Sequence, residues 1–170
     1  MKIVTLLRHA KSSWKEPQLN DIERPLNKRG RRDVPLMGKR LARRGFKPQL
    51  IISSPAVRAV TTAEGIATAI AYEVAQISID ELIYEASSDA LLKILHSQDD
   101  RHQHVMLTGH NPGLTELLEL LAQSGISNIP TCGIATLEFQ VDRWRDVKAG
   151  EGELLNYDFP KQDASQHHAP

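Results

Sequence analysis

The sequence predicts an α/β fold, a three-layer α/β/α sandwich around a mostly parallel central sheet. Three observations carry this. Apolar, partly β-branched runs recur at residues 2–7, 50–53 and 104–108, the pattern of strands buried on both faces. Each run is followed by a helical pattern or a helix-start signal, so strands alternate with helices. No internal repeat interrupts the alternation, and parallel strands linked this way take right-handed connections.

The elements follow in order. The first strand, residues 2–7, stops abruptly at Arg8 and His9. A polar loop over 11–27 contains Pro17, Asn20, Asp21 and Pro25 as breakers. A basic amphipathic helix spans 28–44 and ends at Gly45, a C-terminal cap. Pro35 inside it predicts a kink or a break, not loss of the helix. After the strand at 50–53, Ser54-Pro55 reads as an N-cap and a first-turn proline, opening a helix that runs to about 69. Residues 76–79 form a weak strand, and 89–96 a short helix with Leu91, Leu92 and Leu95 on one face. The strand at 104–108 ends in the turn Gly109-His110. Asn111-Pro112 then repeats the cap-and-proline device before a helix to Leu121. Residues 135–141 alternate apolar and polar side chains, a strand with one face less buried, and 154–159 supply a last strand.

At 170 residues the chain is expected to form one domain over 1–160, with a polar, disordered tail at 161–170. Lysine and arginine number 21, aspartate and glutamate 21. A net charge of zero gives no bulk attraction to nucleic acid or to an anionic membrane, and neither is expected as a partner. The single cysteine, Cys132, cannot form an internal disulfide, which fits a reducing compartment. The N-terminal apolar run is cut at Arg8, short of a signal peptide, and no run has membrane-spanning length. A cytoplasmic location is the expectation; the oligomeric state is open.

Three strand ends carry the chemistry: Arg8-His9, Ser53-Ser54-Pro55 with Arg58, and Gly109-His110-Asn111-Pro112-Gly113. In a parallel sheet these ends share one edge, the edge where ligands of α/β proteins bind. Two arginines and two histidines would converge there, Arg58 reaching back from the first turn of its helix. Guanidinium groups suit a phosphoryl group because they bind its oxygens in a multidentate fashion. Imidazole is a competent nucleophile near neutral pH when one ring nitrogen is free and the other is held by a donor contact to a backbone carbonyl. Neighbouring arginines would keep it neutral. Helix N-termini near Ser54 and Asn111 would add backbone donors.

With Arg24-Pro25-Leu26 and Gly30 added to these motifs, the chain resembles the histidine phosphatase, or phosphoglycerate mutase-like, superfamily over nearly its whole length. Its short length and its Arg-His-Ala-Lys motif resemble the SixA-like phosphohistidine phosphatase branch. The resemblance implies His9 as the nucleophile that becomes phosphohistidine, and Arg8, Arg58 and His110 as the phosphate pocket. Ser12, Ser13 and Asn111 are candidates for further substrate contacts, and Arg24 for the pocket rim or, alternatively, a solvated loop position. No metal or other cofactor is implied. The partner is a phosphorylated substrate, with a phosphohistidine-bearing protein as one form of it. Two departures stand out. Ala10 replaces the family's glycine after the histidine. The family's general acid, a carboxylate after the third strand, has Glu81 as its counterpart by position, and an ordinary loop carboxylate as its alternative reading. The small branch often lacks this acid, because a phosphohistidine leaves as neutral imidazole. The rival readings are a broad small-molecule phosphatase, a mutase-type phosphotransferase, for which residues 69–104 leave little enclosing sequence, and a non-catalytic phospho-binding module. The cationic run from Arg29 to Arg44 reads as a solvated helix face, and His102, His104, His167 and His168 as solvated residues.

Overall fold

A computed structural model describes residues 1–161; His167, His168 and all but the first residue of the expected tail lie outside the described residues. The strands are β1 (Lys2–Arg8), β2 (Leu50–Ser53), β3 (Ser78–Ile79), β4 (His104–Gly109), β5 (Ile134–Phe139) and β6 (Glu153–Asp158). The helices are α1 (Lys28–Arg43), α2 (Val57–Ala69), α3 (Ser88–His96) and α4 (Gly113–Ala122). One six-stranded sheet has the order β3-β2-β4-β1-β5-β6. The first four of these run parallel, β5 runs antiparallel to β1, and β6 antiparallel to β5.

Successive residues of the central strands face opposite layers, which is why their sequences are apolar throughout. Leu7, Ile51 and Met106 pack with Met37, Leu41 and Ile66 under α1 and α2. Leu6, Ile52, Val105 and Leu107 pack with Leu91, Leu95, Leu114 and Leu117 under α3 and α4. The sandwich predicted from sequence is therefore present, with a buried core on each face. The helices of the first layer cross closely: a Cβ on Gly65 would stand 2.3 Å from Val34 Cγ1, and one on Gly38 2.5 Å from the Ala69 Cβ. Among the described residues no helix is long and apolar enough to cross a membrane.

Several local expectations are corrected. As expected, helix α1 is not lost at Pro35, and it continues without the break that is the alternative to a kink. Helix α2 begins at Val57 with Ala56 as its N-cap, and Ser54 makes no helix cap. Instead the Ser54 hydroxyl accepts the Ala56 amide at 3.2 Å and contacts His110, so its oxygen serves the site. The α1 cationic face is not wholly solvated. Arg40 is ion-paired at 3.0 Å with buried Asp158 and also donates to the carbonyls of Phe159 and Pro160, which anchors the end of β6. His104 is packed within the sheet rather than solvated. Its Nε2 lies 2.7 Å from the Thr5 hydroxyl, and burial pushes its pKa down to about 4.

Candidate active site

The register of the sheet builds the site. Arg8 on β1 stands opposite Gly109 on β4, and Ser53 on β2 opposite Thr108. Beyond these pairs the His9 amide donates to the Gly109 carbonyl at 3.1 Å, and the Ser54 amide to the Thr108 carbonyl at 3.0 Å. Three strand ends are thus stitched together where the sequence places Arg8-His9, Ser54 and His110. Helix α2 is joined to the same point: the Ala10 amide donates to Thr62 Oγ1, whose hydroxyl donates to the Arg58 carbonyl. Arg58, on the first turn of α2, is only 7 % exposed.

His9 is 8 % exposed, and its ring centroid lies 5.1 Å from that of His110. Its Nδ1 is 2.7 Å from the Ala10 carbonyl. A carbonyl only accepts, so Nδ1 carries the proton and Nε2 keeps its lone pair. Burial, opposed in part by the Ala10 contact and aided by the charges of His110, Arg58 and Arg8, pushes the His9 pKa down to about 3. Burial, with Arg58 next, lowers His110 to about 4, and Asp21 pulls the other way. Both rings are neutral at pH 7 with these neighbours alone, and an anion bound beside His110 would favour its protonated form. His110 Nε2 meets the Ser54 hydroxyl at 2.7 Å. His110 Nδ1 and Arg8 Nε are buried and have no partner among the described residues, so hydrogen-bonding capacity is left unspent beside His9.

An open cleft of about 620 Å³ adjoins these groups, lined by Asp21, Arg58, Tyr84, Glu85, His110 and Gly113 among others. Arg8 and His9 are not in its lining; His9 meets it through His110. Two glycines let the loops around the site pack closely, Gly113 in the cleft wall and Gly30 behind the loop after β1. A Cβ on Gly30 would stand 2.2 Å from the Lys11 carbonyl oxygen, and one on Gly113 2.2 Å from the Ala86 carbonyl oxygen. The loops after β1 and after β3 can therefore lie directly against the helix starts.

The remaining candidates separate. Arg24 is buried, not a solvated loop position. It donates to the Ser12 hydroxyl at 2.5 Å, the Ser13 carbonyl at 3.1 Å and Asp21 at 3.0 Å. Ser12 is buried in that contact, while the Ser13 hydroxyl accepts the Lys15 amide; neither lines the cleft. Asn111 lines it, but its amide donates to Asn128 and Ile129 and its oxygen accepts from Thr115, so its hydrogen bonds are already engaged. Glu81 opens a short turn after β3, is exposed and does not line the cleft.

Sequence reasoning missed Asp21 and Tyr84. The Asp21 carboxylate is hydrogen-bonded by the Tyr84 hydroxyl and ion-paired with Arg58 at 2.9 Å and Arg24 at 3.0 Å; its backbone carbonyl also accepts from Arg58 at 2.7 Å. The Tyr84 contact, then the two guanidinium groups, hold this carboxyl far below the usual carboxylate range, with burial opposing. Tyr84 also stands edge-on to His110, with centroids 5.5 Å apart. A signal for Asp21 existed: Asn20 and Glu23 form a capping box around it, and Arg24 follows at i+3.

Residues 4–104 match the model of the histidine phosphatase superfamily, branch 1. An uncharacterised chloroplastic protein of Arabidopsis thaliana is 30 % identical over 155 residues, covering 86 % of this chain and 71 % of its own. Among solved structures, a protein assigned as phosphohistidine phosphatase SixA from Agrobacterium tumefaciens superposes with a TM-score of 0.79 at 30 % identity, covering 94 % of this chain and 98 % of that one. A protein histidine phosphatase SixA complexed with tungstate shares the fold at 18 % identity, with a TM-score of 0.78 and coverage of 93 % and 97 %. With a matched family model over its first three strand ends and SixA-like architecture along its length, the chain belongs to the histidine phosphatase superfamily.

Proposed function

We propose that this protein is a phosphohistidine phosphatase that works through a covalent phosphohistidine on His9. One observation carries the reading: a buried, neutral His9 whose Nδ1–H is held by the Ala10 carbonyl, leaving Nε2 free beside Arg58 and His110. In the first step the Nε2 lone pair forms a bond to phosphorus, and the bond from phosphorus to the leaving atom breaks, with its electron pair going to the leaving group. Arg8, Arg58 and His110 bind the phosphoryl oxygens and offset the charge that develops on them. In the second step water attacks phosphorus, the bond from Nε2 to phosphorus breaks, and inorganic phosphate leaves.

The substrate class follows from what the site offers the leaving group. Asp21, the carboxyl closest to the arginines, is ionised at neutral pH and fixed by three partners. It has no proton to give. Glu81 stands outside the cleft, and the two glutamates that line it, Glu85 and Glu116, are exposed with no partner that aims them at His9 among the described residues. A leaving group that needs no acid from the protein suits this arrangement: the imidazole of a protein phosphohistidine departs as neutral imidazole once its other ring nitrogen has taken a proton from solvent. The test compares turnover of a phosphohistidine peptide, an aryl phosphate and a sugar phosphate by wild type and His9→Gln. The expected order places the phosphohistidine peptide first and the sugar phosphate last, with all turnover lost in the variant. Preference for the sugar phosphate would overturn the substrate assignment, and turnover by His9→Gln would overturn the mechanism.

A further inference from the structure

Three threonines of α2 donate their hydroxyls back to the carbonyl one turn earlier: Thr61 to Val57, Thr62 to Arg58 and Thr68 to Glu64. This back-bond is an ordinary habit of threonine in helices. Thr61 and Thr68 are exposed, and their side chains make no other hydrogen bond among the described residues. Thr62 differs on both counts. It is wholly buried, and its oxygen takes a second bond, at 2.9 Å, from the Ala10 amide. The direction of both bonds is fixed. A carbonyl only accepts, so the hydroxyl proton goes to Arg58 and a lone pair is left for the Ala10 N–H.

That N–H belongs to the peptide unit that joins His9 to Ala10, and the unit is gripped from both sides. Thr62 holds its N–H, and its carbonyl, that of His9, accepts from the Cys132 amide at 3.1 Å. The next carbonyl along the chain, that of Ala10, receives Nδ1 of the His9 ring at 2.7 Å. The ring is therefore no better fixed than this peptide. Released at its N–H, the peptide plane can turn about the chain axis and carry the Ala10 carbonyl away from Nδ1. The bonds from Cys132 and to Gly109 that also hold His9 are backbone to backbone, whereas this one is made by a side chain. Through the Arg58 carbonyl, the same hydroxyl ties the peptide to the first turn of the helix that supplies Arg58.

Resting on the phosphatase reading above, we infer that Thr62 is a positioning residue for the nucleophile: its hydroxyl fixes the His9-Ala10 peptide so that the Ala10 carbonyl keeps the proton on Nδ1 and Nε2 faces phosphorus. Thr62 does not line the cleft. It acts through the backbone, setting the tautomer of His9 and its placement against Arg58.

The experiment compares wild type with three variants. Thr62→Val keeps the branched shape and loses the hydroxyl. Thr62→Ser keeps the hydroxyl. Thr61→Val loses only a back-bond in the same helix. Nitrogen NMR of labelled histidine rings reads the tautomer, with the His9 signals assigned by their absence from His9→Gln. Wild type is expected to show His9 with Nδ1 protonated and Nε2 bare at neutral pH, and Thr62→Val a mixture of tautomers. On p-nitrophenyl phosphate, kcat of Thr62→Val is expected to fall about ten- to a hundredfold with KM changed by less than about twofold, because the arginines still bind the phosphoryl group. Thr62→Ser is expected to restore the tautomer and most of kcat, and Thr61→Val to leave both unchanged. A wild-type tautomer retained in Thr62→Val overturns the inference, whether or not kcat falls. The same losses in Thr61→Val overturn it as well, since the helix alone would then be responsible. If Thr62→Val does not fold, Thr62→Cys, whose thiol is a weak acceptor, takes its place against Thr62→Ser. If wild type turns over neither p-nitrophenyl phosphate nor a phosphohistidine peptide, the phosphatase reading fails, and the tautomer comparison still decides the role of Thr62.

Discussion

Asp21→Asn separates the two tasks that the structure gives this carboxylate. The substitution keeps the size of the side chain and one carbonyl oxygen, and it replaces the other oxygen with an amide donor. Asp21 receives donors from Arg58, Arg24 and Tyr84, so the new amide must face at least one of them. Losing a hydrogen bond to a charged group costs about 1.5–3 kcal/mol. The Asp21 side chain is half open to solvent, so screening reduces the cost to about 1–2 kcal/mol. For a chain of this size each kcal/mol lowers Tm by about 2–4 °C, so the expected drop is about 2–8 °C. The functional effects oppose each other. Freed from Asp21, Arg58 no longer holds its aim, and displacement of such a group by about 1 Å can cost about a hundredfold in rate. The negative charge that competed with a phosphoryl dianion is also gone, which favours ground-state binding. The prediction is a kcat lower by about ten- to a hundredfold with KM unchanged or reduced. Steady-state kinetics on p-nitrophenyl phosphate, with a thermal melt of the same preparation, supplies both numbers. An unchanged kcat with a lowered Tm would refute the argument that Asp21 aims Arg58, because the carboxylate would then serve folding alone.

Four further outcomes follow from the geometry. His9 and His110 are held at about 3 and about 4 against an ordinary 6.5, so the free-enzyme kcat/KM profile keeps its neutral nucleophile well below pH 6.5; an acid limb centred near 6.5 would contradict this. The same shifts make stability fall with acid: the unfolded chain takes up protons through 6.5 while the folded chain resists until about 4 and then about 3, so urea midpoints should decline across that window and be flat above it. Gly113→Ala drives a Cβ to 2.2 Å from the Ala86 carbonyl oxygen; a loss of about 1–3 kcal/mol is expected in denaturant titrations, with a displaced cleft wall and weaker phosphate binding. Glu81→Gln should change kcat/KM by less than about twofold on any substrate, since an exposed carboxylate outside the cleft is a surface position.

The parts of the fold and site that rest on short-range pattern were legible in the sequence. Runs such as Val105-Met106-Leu107 are apolar because both faces of the sheet are covered, and that signal lies in consecutive residues. The convergence of Arg8, His9, Arg58 and His110 followed from parallel strand ends, a consequence of topology alone. What stayed hidden depended on contacts distant in sequence. Asp21 read as a loop breaker because its partners Arg58 and Tyr84 come from helix α2 and from the turn after β3. Arg40 read as solvated because Asp158 meets it from the far end of the chain. Ser54 carries the composition of a cap, but His110 and the Ala56 amide engage its hydroxyl and α2 starts three residues later. Glu81 matched the expected acid by position along the chain, and the short turn it opens leaves it outside the cleft while Tyr84 lines the cleft instead.

The central claim is a phosphoryl group carried on His9, and rapid-quench trapping tests it most directly. Wild type is mixed with p-nitrophenyl phosphate or a phosphohistidine peptide and quenched in alkali, where phosphohistidine survives. The modified peptide is then located by mass spectrometry, and the linked nitrogen is identified by phosphorus NMR. The account predicts one phosphoryl group on Nε2 of His9, formed and lost at rates compatible with turnover and absent from His9→Gln. A phosphoryl group on His110, or turnover that continues in His9→Gln, would contradict it.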